Sequence, residues 1–367
     1  MTSVNRDEFL KYISLNDPLV SVVVPAFNKQ DYILETLQSI LAQDYKNIEL
    51  IIVNDSSTDN TVEVVKSFSS NNPSCNIRVL DKPNGGTSDA KNFGIRHANS
   101  RVVLTVDADD LLRPNYISTG IKMMRERGAN LFCANVEIFG ARTGEWIPHE
   151  YDTFMIRYDN CIAMAQMYDK ALWEAAGGFK TSFAFVEDWE LWVNFSRFGL
   201  VVAKAPEKLI RYRVTPDGLH NTFIENNRRE CLALVVTANQ DLYPVEDVIA
   251  SHDLIAAIPD HITERFKKQE SQHQNEWLLK FWLGLAAEKR GEAGEASRLY
   301  GISAQLAPAG EWQPAYRQAR LLDAHGDFNT AQQIYHQIRI LRPDMHKYVQ
   351  SHINDILARA RGQMPQK

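Results

Sequence analysis

The sequence predicts an α/β fold in its first part and an all-α helical-repeat segment after it. Two observations carry this. Up to about Pro114, short β-branched runs alternate with amphipathic segments, the pattern of parallel βαβ units. From about Val245 the strand signals stop and Ala, Leu, Gln, Glu and Arg dominate. The expected division is therefore residues 1–244 and 245–367.

The elements follow in order. Val20-Ser21-Val22-Val23-Val24, closed by Pro25, reads as a buried strand. Asp31 to Gln43 places Ile33, Leu34, Leu37, Ile40 and Leu41 at helical spacing. Glu49 to Val53 is a second buried strand, ending at Asn54-Asp55-Ser56-Ser57. Thr58 to Ser67 is helical, Asn76 to Leu80 a short strand, and Arg101 to Val106 a further strand ending at Asp107. Lys208 to Val214 is the last strand-like run. Ligands of parallel sheets collect at the carboxyl ends of the strands. Here those ends carry Pro25–Asn28, Asn54–Asp55 and Asp107–Asp110.

Composition narrows the function classes. The chain has 367 residues, 44% hydrophobic and 23% charged, as in a globular protein of two or three domains. A net charge of −6 lacks the basic excess of a nucleic-acid binder. No apolar run is long enough for a transmembrane span, and Met1 to Asp17 has no apolar core of a secretory signal. Cys75, Cys133, Cys161 and Cys231 are scattered without a CxxC pair, so neither disulfides nor a zinc site are expected. The expected location is the cytoplasm, with at most peripheral contact at the inner face of the membrane.

The helical segment contains an internal repeat. Gly291, Ala296, Tyr300 and Pro308 recur as Gly326, Ala331, Tyr335 and Pro343, at a constant offset of 35 positions. Small residues let two helices of a hairpin approach, the aromatic fills the gap, and proline ends the second helix. This resembles tetratricopeptide repeats, with Leu283-Gly284 where that family has its Leu-Gly pair. The second unit departs, carrying Gln318-Ala319 there. Asp247–Ile258 and His346–Ala360 are expected as flanking helices. Residues 245–367 are charge-balanced, so the excess of 46 acids over 40 bases lies upstream.

Asp107-Ala108-Asp109-Asp110 concentrates three carboxylates after a buried strand. Like charges so close raise one another's pKa unless a cation or donor offsets them. Oxygen ligands suit Mg²⁺ or Mn²⁺. Taken alone, the tetrapeptide equally suits a helix cap.

Its context adds more. VVVPAFN (22–28), ELIIVNDSSTDNT (49–61), NGGTSDAKNFG (84–94), VDADD (106–110) and GGFKTSFAFVEDWELW (177–192) occur in that order. Together they resemble the family 2 glycosyltransferases of GT-A fold, over roughly Pro18 to Tyr212. The resemblance implies transfer of a sugar from a nucleotide-diphosphate donor, with inversion at the anomeric carbon.

It also implies roles. Pro25, Ala26 and Phe27 match the segment lining the nucleoside pocket, with Phe27 where the family often has Tyr. Asp55 matches the acid that accepts a hydrogen bond from a uracil-like base. Asn84 and Gly85 look like the glycine-containing loop that lets backbone approach the donor. Lys91 stands where Arg is frequent; it either offsets phosphate charge as a point cation or is a solvated helix residue. Asp107 and Asp109 match the D-x-D motif, Asp107 near the ribose and Asp109 on the metal, Mn²⁺ or Mg²⁺. Asp110 is either an additional acid behind the metal-binding pair or a helix cap, the cap being favoured. Asp188 matches the general base, and Glu187 would orient it or the acceptor. Trp189 stacks on an acceptor sugar or packs. His220, after the Thr215-Pro216-Asp217-Gly218 turn, is a metal ligand or an ordinary loop histidine.

The expected activity is metal-dependent, inverting transfer from a UDP- or dTDP-sugar to a hydroxyl of a glycan, lipid-linked or protein acceptor. The helical repeats would hold the acceptor, a protein partner or a second copy of the chain. The alternative is a catalytically inactive scaffold whose repeats bind a partner. A sugar nucleotidyltransferase is disfavoured, because Pro25-Ala26-Phe27-Asn28 is not a glycine-rich basic loop.

Overall fold

The computed structural model describes residues 4–216, 218 and 223–360. The chain forms two compact units, Met1–Val235 and Val236–Lys367. The division falls within a helix, Arg228–Ala238, ahead of the composition change at Val245.

The first unit is built on a mixed sheet. After a short helix α1 (Arg6–Ile13) come β1 (Val20–Ala26), α2 (Ile33–Leu41), β2 (Ile48–Asn54), α3 (Thr61–Asn71), β3 (Ile77–Asp81), α4 (Gly86–Arg96) and β4 (Val102–Thr105). Strands β3, β2, β1 and β4 pair in parallel in that order. This is the alternation the sequence predicts, and β1 is buried along its whole length, as its unbroken apolar run requires. In α2, Ile33, Leu37 and Ile40 face the core, whereas Leu34 lies outward.

The sheet continues through elements the motifs did not announce. These are β5 (Leu111–Leu112), α5 (Tyr116–Arg127), β6 (Leu131–Gly140), β7 (Gly144–Trp146) and β8 (Met167–Asp169). Then follow α6 (Lys170–Ala176), α7 (Glu187–Phe195) and β9 (Val202–Val214). Strand β8 joins the two halves by pairing antiparallel with both β4 and β6, and β9 runs parallel to β6. The start of α7 lies beside the end of β4, where Lys91 meets both Glu187 and Asp107. Every residue of α7 from Trp189 to Phe195 is buried, so the helix is enclosed on all sides beyond its first turn.

The second unit is helical throughout its described residues. Helix α8 (Arg228–Ala238) crosses into it, followed by α9 (Val245–Ala256), α10 (Asp260–Gln272), α11 (Trp277–Lys289) and α12 (Ala293–Leu306). Helices α13 (Gln313–Ala324), α14 (Phe328–Leu341) and α15 (His346–Ala360) complete it. Ala296, Tyr300, Ala331 and Tyr335 are all buried at equivalent places in the hairpins α11–α12 and α13–α14. A side chain at Gly284 would lie 2.7 Å from the Tyr300 ring, so glycine is what lets α11 and α12 approach. No described helix is long and apolar enough to cross a membrane.

One contact sets the height of α4 over the sheet. A Cβ at Gly94 would overlap Val23 and lie 2.9 Å from Val53. Gly94→Ala should therefore destabilise the first unit by about 1–3 kcal/mol through overpacking, measured by urea unfolding.

Candidate active site

Because β1 pairs in parallel with both β2 and β4, their carboxyl ends lie side by side. Pro25-Ala26-Phe27, Asn54-Asp55 and Asp107–Asp110 thus share one edge. Phe27 is 37% exposed, a ring open to solvent at the end of β1.

Asp55 is nearly buried and organises the loop into α4. Its carboxylate accepts from the Gly85 N–H at 2.9 Å, the Gly86 N–H at 2.8 Å and the Asn84 amide at 3.2 Å, and pairs with Lys82 at 2.6 Å. The Asn84 amide also reaches the Asp55 carbonyl at 2.7 Å. These donors include the first N–H groups of α4, which a helix leaves without internal partners.

Lys91 joins the two acidic motifs. Its ammonium lies 3.0 Å from Asp107 Oδ1 and 2.9 Å from Glu187 Oε1, above the Phe179 ring. It is 5% exposed, which excludes the solvated-helix alternative. Burial alone would discharge it, but Asp107, then Glu187 and Asp188, outweigh burial and hold its pKa well above the ordinary lysine value.

Asp188 is the neighbour of that pair at the start of α7. Its Oδ1 accepts from the Trp189 N–H at 2.7 Å. Burial and then the charge of Glu187 push its pKa up to about 7, against the opposing pull of Lys91. A carboxyl group that titrates near neutrality is matched to proton abstraction.

The residues of the D-x-D motif differ from one another. The Asp107 side chain is 36% exposed. Asp109 is paired with the Lys29 ammonium. Asp110 is fully buried and accepts from the Arg213 N–H at 3.0 Å. It caps no helix, contrary to expectation: the chain continues into β5, and α5 begins only after Asn115. Its second oxygen has no hydrogen-bond partner, and burial, then Asp109 and Asp107, push its pKa well above the carboxylate range. The guanidinium of Arg213 donates to the Asp109 carbonyl at 3.0 Å, tying the motif to β9.

Several residues outside the expected set hold this geometry. Asn92 accepts from the Trp173 indole at 3.0 Å and the Phe179 N–H at 2.9 Å, and donates to the Phe179 carbonyl at 2.7 Å. It locks the segment that leads to Glu187-Asp188. Its place beside Lys91 in the NGGTSDAKNFG motif was the available signal. Val186 adopts φ +52°, a left-handed conformation that costs a β-branched residue energy, immediately before Glu187. No sequence signal marks that strain.

Trp189 is 6% exposed and its indole donates to the Ile156 carbonyl at 2.7 Å, so it packs and fixes the neighbouring turn. His220 lies outside the described residues. Among the described residues, no three or more His, Cys, Asp or Glu side chains gather as a metal cage.

Residues 21–182 match the family model for glycosyl transferase family 2. The chain carries a family 2 glycosyltransferase domain. Relatives agree with this assignment. The glycosyltransferase GlyG of Streptococcus pneumoniae is 40% identical over 118 residues, 32% of this chain and 38% of that protein. The chondroitin synthase of Pasteurella multocida is 30% identical over 238 residues, 61% of this chain and 23% of that protein. The chain thus spans well under half the length of these curated relatives. Residues 1–349 of S. aureus TarS, solved with UDP-GlcNAc, superpose with a TM-score of 0.52 at 16% identity, covering 94% of this chain and 92% of that one. That likeness establishes the GT-A fold.

In the family 2 domain, Lys91→Met leaves Asp107 and Glu187 without their cation. The expected cost is about 3 kcal/mol, at the low end for a buried pair because Asp107 is partly open to water. A cycle with Glu187→Gln, followed by urea unfolding, should return part of that loss.

Proposed function

We propose that this protein transfers a sugar from a UDP- or dTDP-sugar to an acceptor hydroxyl, with inversion, using Asp188 as general base. One observation carries the proposal: Lys91 holds Asp107 of the donor-side motif and Glu187 of the base-bearing helix on one ammonium. This contact supports donor and acceptor chemistry at a single strand edge.

In this scheme the nucleoside rests on Pro25, Ala26 and the exposed Phe27 ring, bounded by Asp55 and the Asn84–Gly85 loop that Asp55 anchors. Asp107 meets the ribose. The acceptor oxygen attacks the anomeric carbon and gives its proton to Asp188. The bond to the β-phosphate oxygen breaks as the new glycosidic bond forms, and its electron pair leaves with the nucleoside diphosphate. Glu187, fixed by Lys91, holds the base and the acceptor in line.

Asp109, with Asp107 behind it, suits a divalent cation such as Mn²⁺ or Mg²⁺. The fit is supported by the ammonium already drawn onto Asp109, a stand-in for positive charge at that oxygen. Such cations commonly take one or two carboxylates and complete their shell with substrate phosphates. When bound, the cation would stabilise charge developing on the departing diphosphate. His220 is a further proposed ligand.

The acceptor is proposed to be a growing glycan, in keeping with the chondroitin synthase among the relatives. A lipid-linked or protein hydroxyl is the other chemistry compatible with Asp188. The helical repeats would meet that acceptor, a protein partner or a second copy.

Asp188→Asn should lower transfer by roughly 10²–10⁴-fold while preserving UDP-dependent thermal stabilisation. Loss of both together would identify Asp188 as structural. The same variant should be more stable than the wild type at pH 8. A carboxyl group whose folded pKa is raised holds its proton longer in the native state, so stability falls as pH rises from about 4 through 7. Asparagine removes that loss, and the advantage should vanish below pH 4 in urea unfolding. The transfer rate of the wild type should climb with pH through about 7, as Asp188 ionises. A thermal-shift screen of nucleotide sugars with and without Mn²⁺ identifies the donor.

A further inference from the structure

Lys29 lies just past the end of β1 and takes no part in the transfer step above. Its backbone is pinned on every side. Asn28 turns the chain with φ +52° and accepts from the Thr58 N–H at 2.8 Å. The Lys29 N–H donates to Thr61 Oγ1 at 2.8 Å, and its carbonyl accepts from the Tyr32 and Ile33 N–H groups at 3.0 and 2.9 Å. The Gln30 N–H donates to Asp59 at 3.1 Å. The side chain is free in a way the backbone is not: it is 32% exposed, and its ammonium reaches across to Asp109 at the end of another strand.

Asp109 pairs with that ammonium, and the charges of Asp107 and Asp110 act on it as well. Burial opposes its charge, but Asp109, then Asp107 and Asp110, overcome the opposition and raise its pKa. One partly exposed cation therefore pairs with Asp109 beside two further acids.

We propose that Lys29 is an exchangeable counter-ion for Asp109. It holds this carboxylate while the donor is absent, yields it to the divalent cation that enters with the nucleotide, and then faces the diphosphate. The inference rests on the reading that Asp109 meets a divalent cation. A doubly charged ion displaces a single ammonium favourably only when phosphate oxygens complete its shell. Metal and nucleotide should accordingly bind as a coupled pair, each raising the affinity of the other by the same factor.

The test uses the full chain and titrates Mn²⁺ by electron paramagnetic resonance of the free ion, with and without UDP. Lys29→Met removes the competitor and its repulsion. It should bind Mn²⁺ alone roughly fivefold more tightly than the wild type, a partly exposed ion pair being a modest competitor. It should also lose affinity for UDP, most of all in the presence of Mn²⁺ where Lys29 faces the diphosphate, so the gain in Mn²⁺ affinity conferred by UDP shrinks by the same factor. Lys29→Gln should repeat this result and Lys29→Arg should retain wild-type coupling. Unchanged Mn²⁺ affinity in both neutral variants overturns the counter-ion proposal. Weaker UDP binding with unchanged Mn²⁺ affinity overturns it too, because Lys29 would then be a fixed phosphate contact. If the wild type takes up no Mn²⁺ even with UDP, or Asp109→Asn binds it as well as the wild type does, the reading of Asp109 itself fails.

Discussion

The candidate site depends on one buried ammonium between two carboxylates. Lys91 pairs Asp107, at the end of a parallel strand, with Glu187, at the start of a helix that arrives almost a hundred residues later in the chain. Without a cation, burying those acids together would be prohibitive. With it, the two halves of the sheet acquire a fixed relation at their shared edge. The raised pKa of Asp188 follows from the same arrangement, since burial and Glu187 lift it while Lys91 restrains it. Replacing arginine by lysine here matters physically. A compact ammonium serves two single oxygens from different elements, whereas a guanidinium favours a planar two-oxygen grip on one partner.

Around that centre the structure spends its polar groups on holding loops. Asp55 anchors the start of α4, Asn92 anchors Phe179, and Arg213 anchors the Asp109 carbonyl. Each residue works on a segment next to the chemistry. This division suits a domain whose reacting groups sit on loops, where a rigid supporting layer must provide the precision the loops lack.

Much of the parallel half could be read from the residues. Strand and helix periods placed β1, β2, β4, α2 and α3, because buried parallel strands are continuous apolar runs, whereas α4 was not read from its residues. The repeat of Gly291 and Tyr300 at Gly326 and Tyr335 announced the helical hairpins, though the two glycines are left-handed turn residues with open space around them, and the close helix approach falls at Gly284, Ala296 and Ala331 instead. The antiparallel half was less legible. Strand β8 has only three residues, and its pairing with β4 and β6 is a long-range fact with no local pattern. Within the site, the acidic motifs were visible as charge placed after apolar strands. What Lys91 does was not, because a lysine on a helix looks the same whether it faces water or two carboxylates. Asp110 misled for a related reason: its partner, the Arg213 N–H, is 103 positions away.

Val186 carries a further consequence. Its left-handed backbone stores energy at the turn that launches α7, the helix of the proposed base, whose residues Trp189 to Phe195 are buried. A strained joint of this kind is where local opening is least costly. On warming, Asp188 would therefore lose its alignment before the sheet gives way, and heat inactivation would precede global melting.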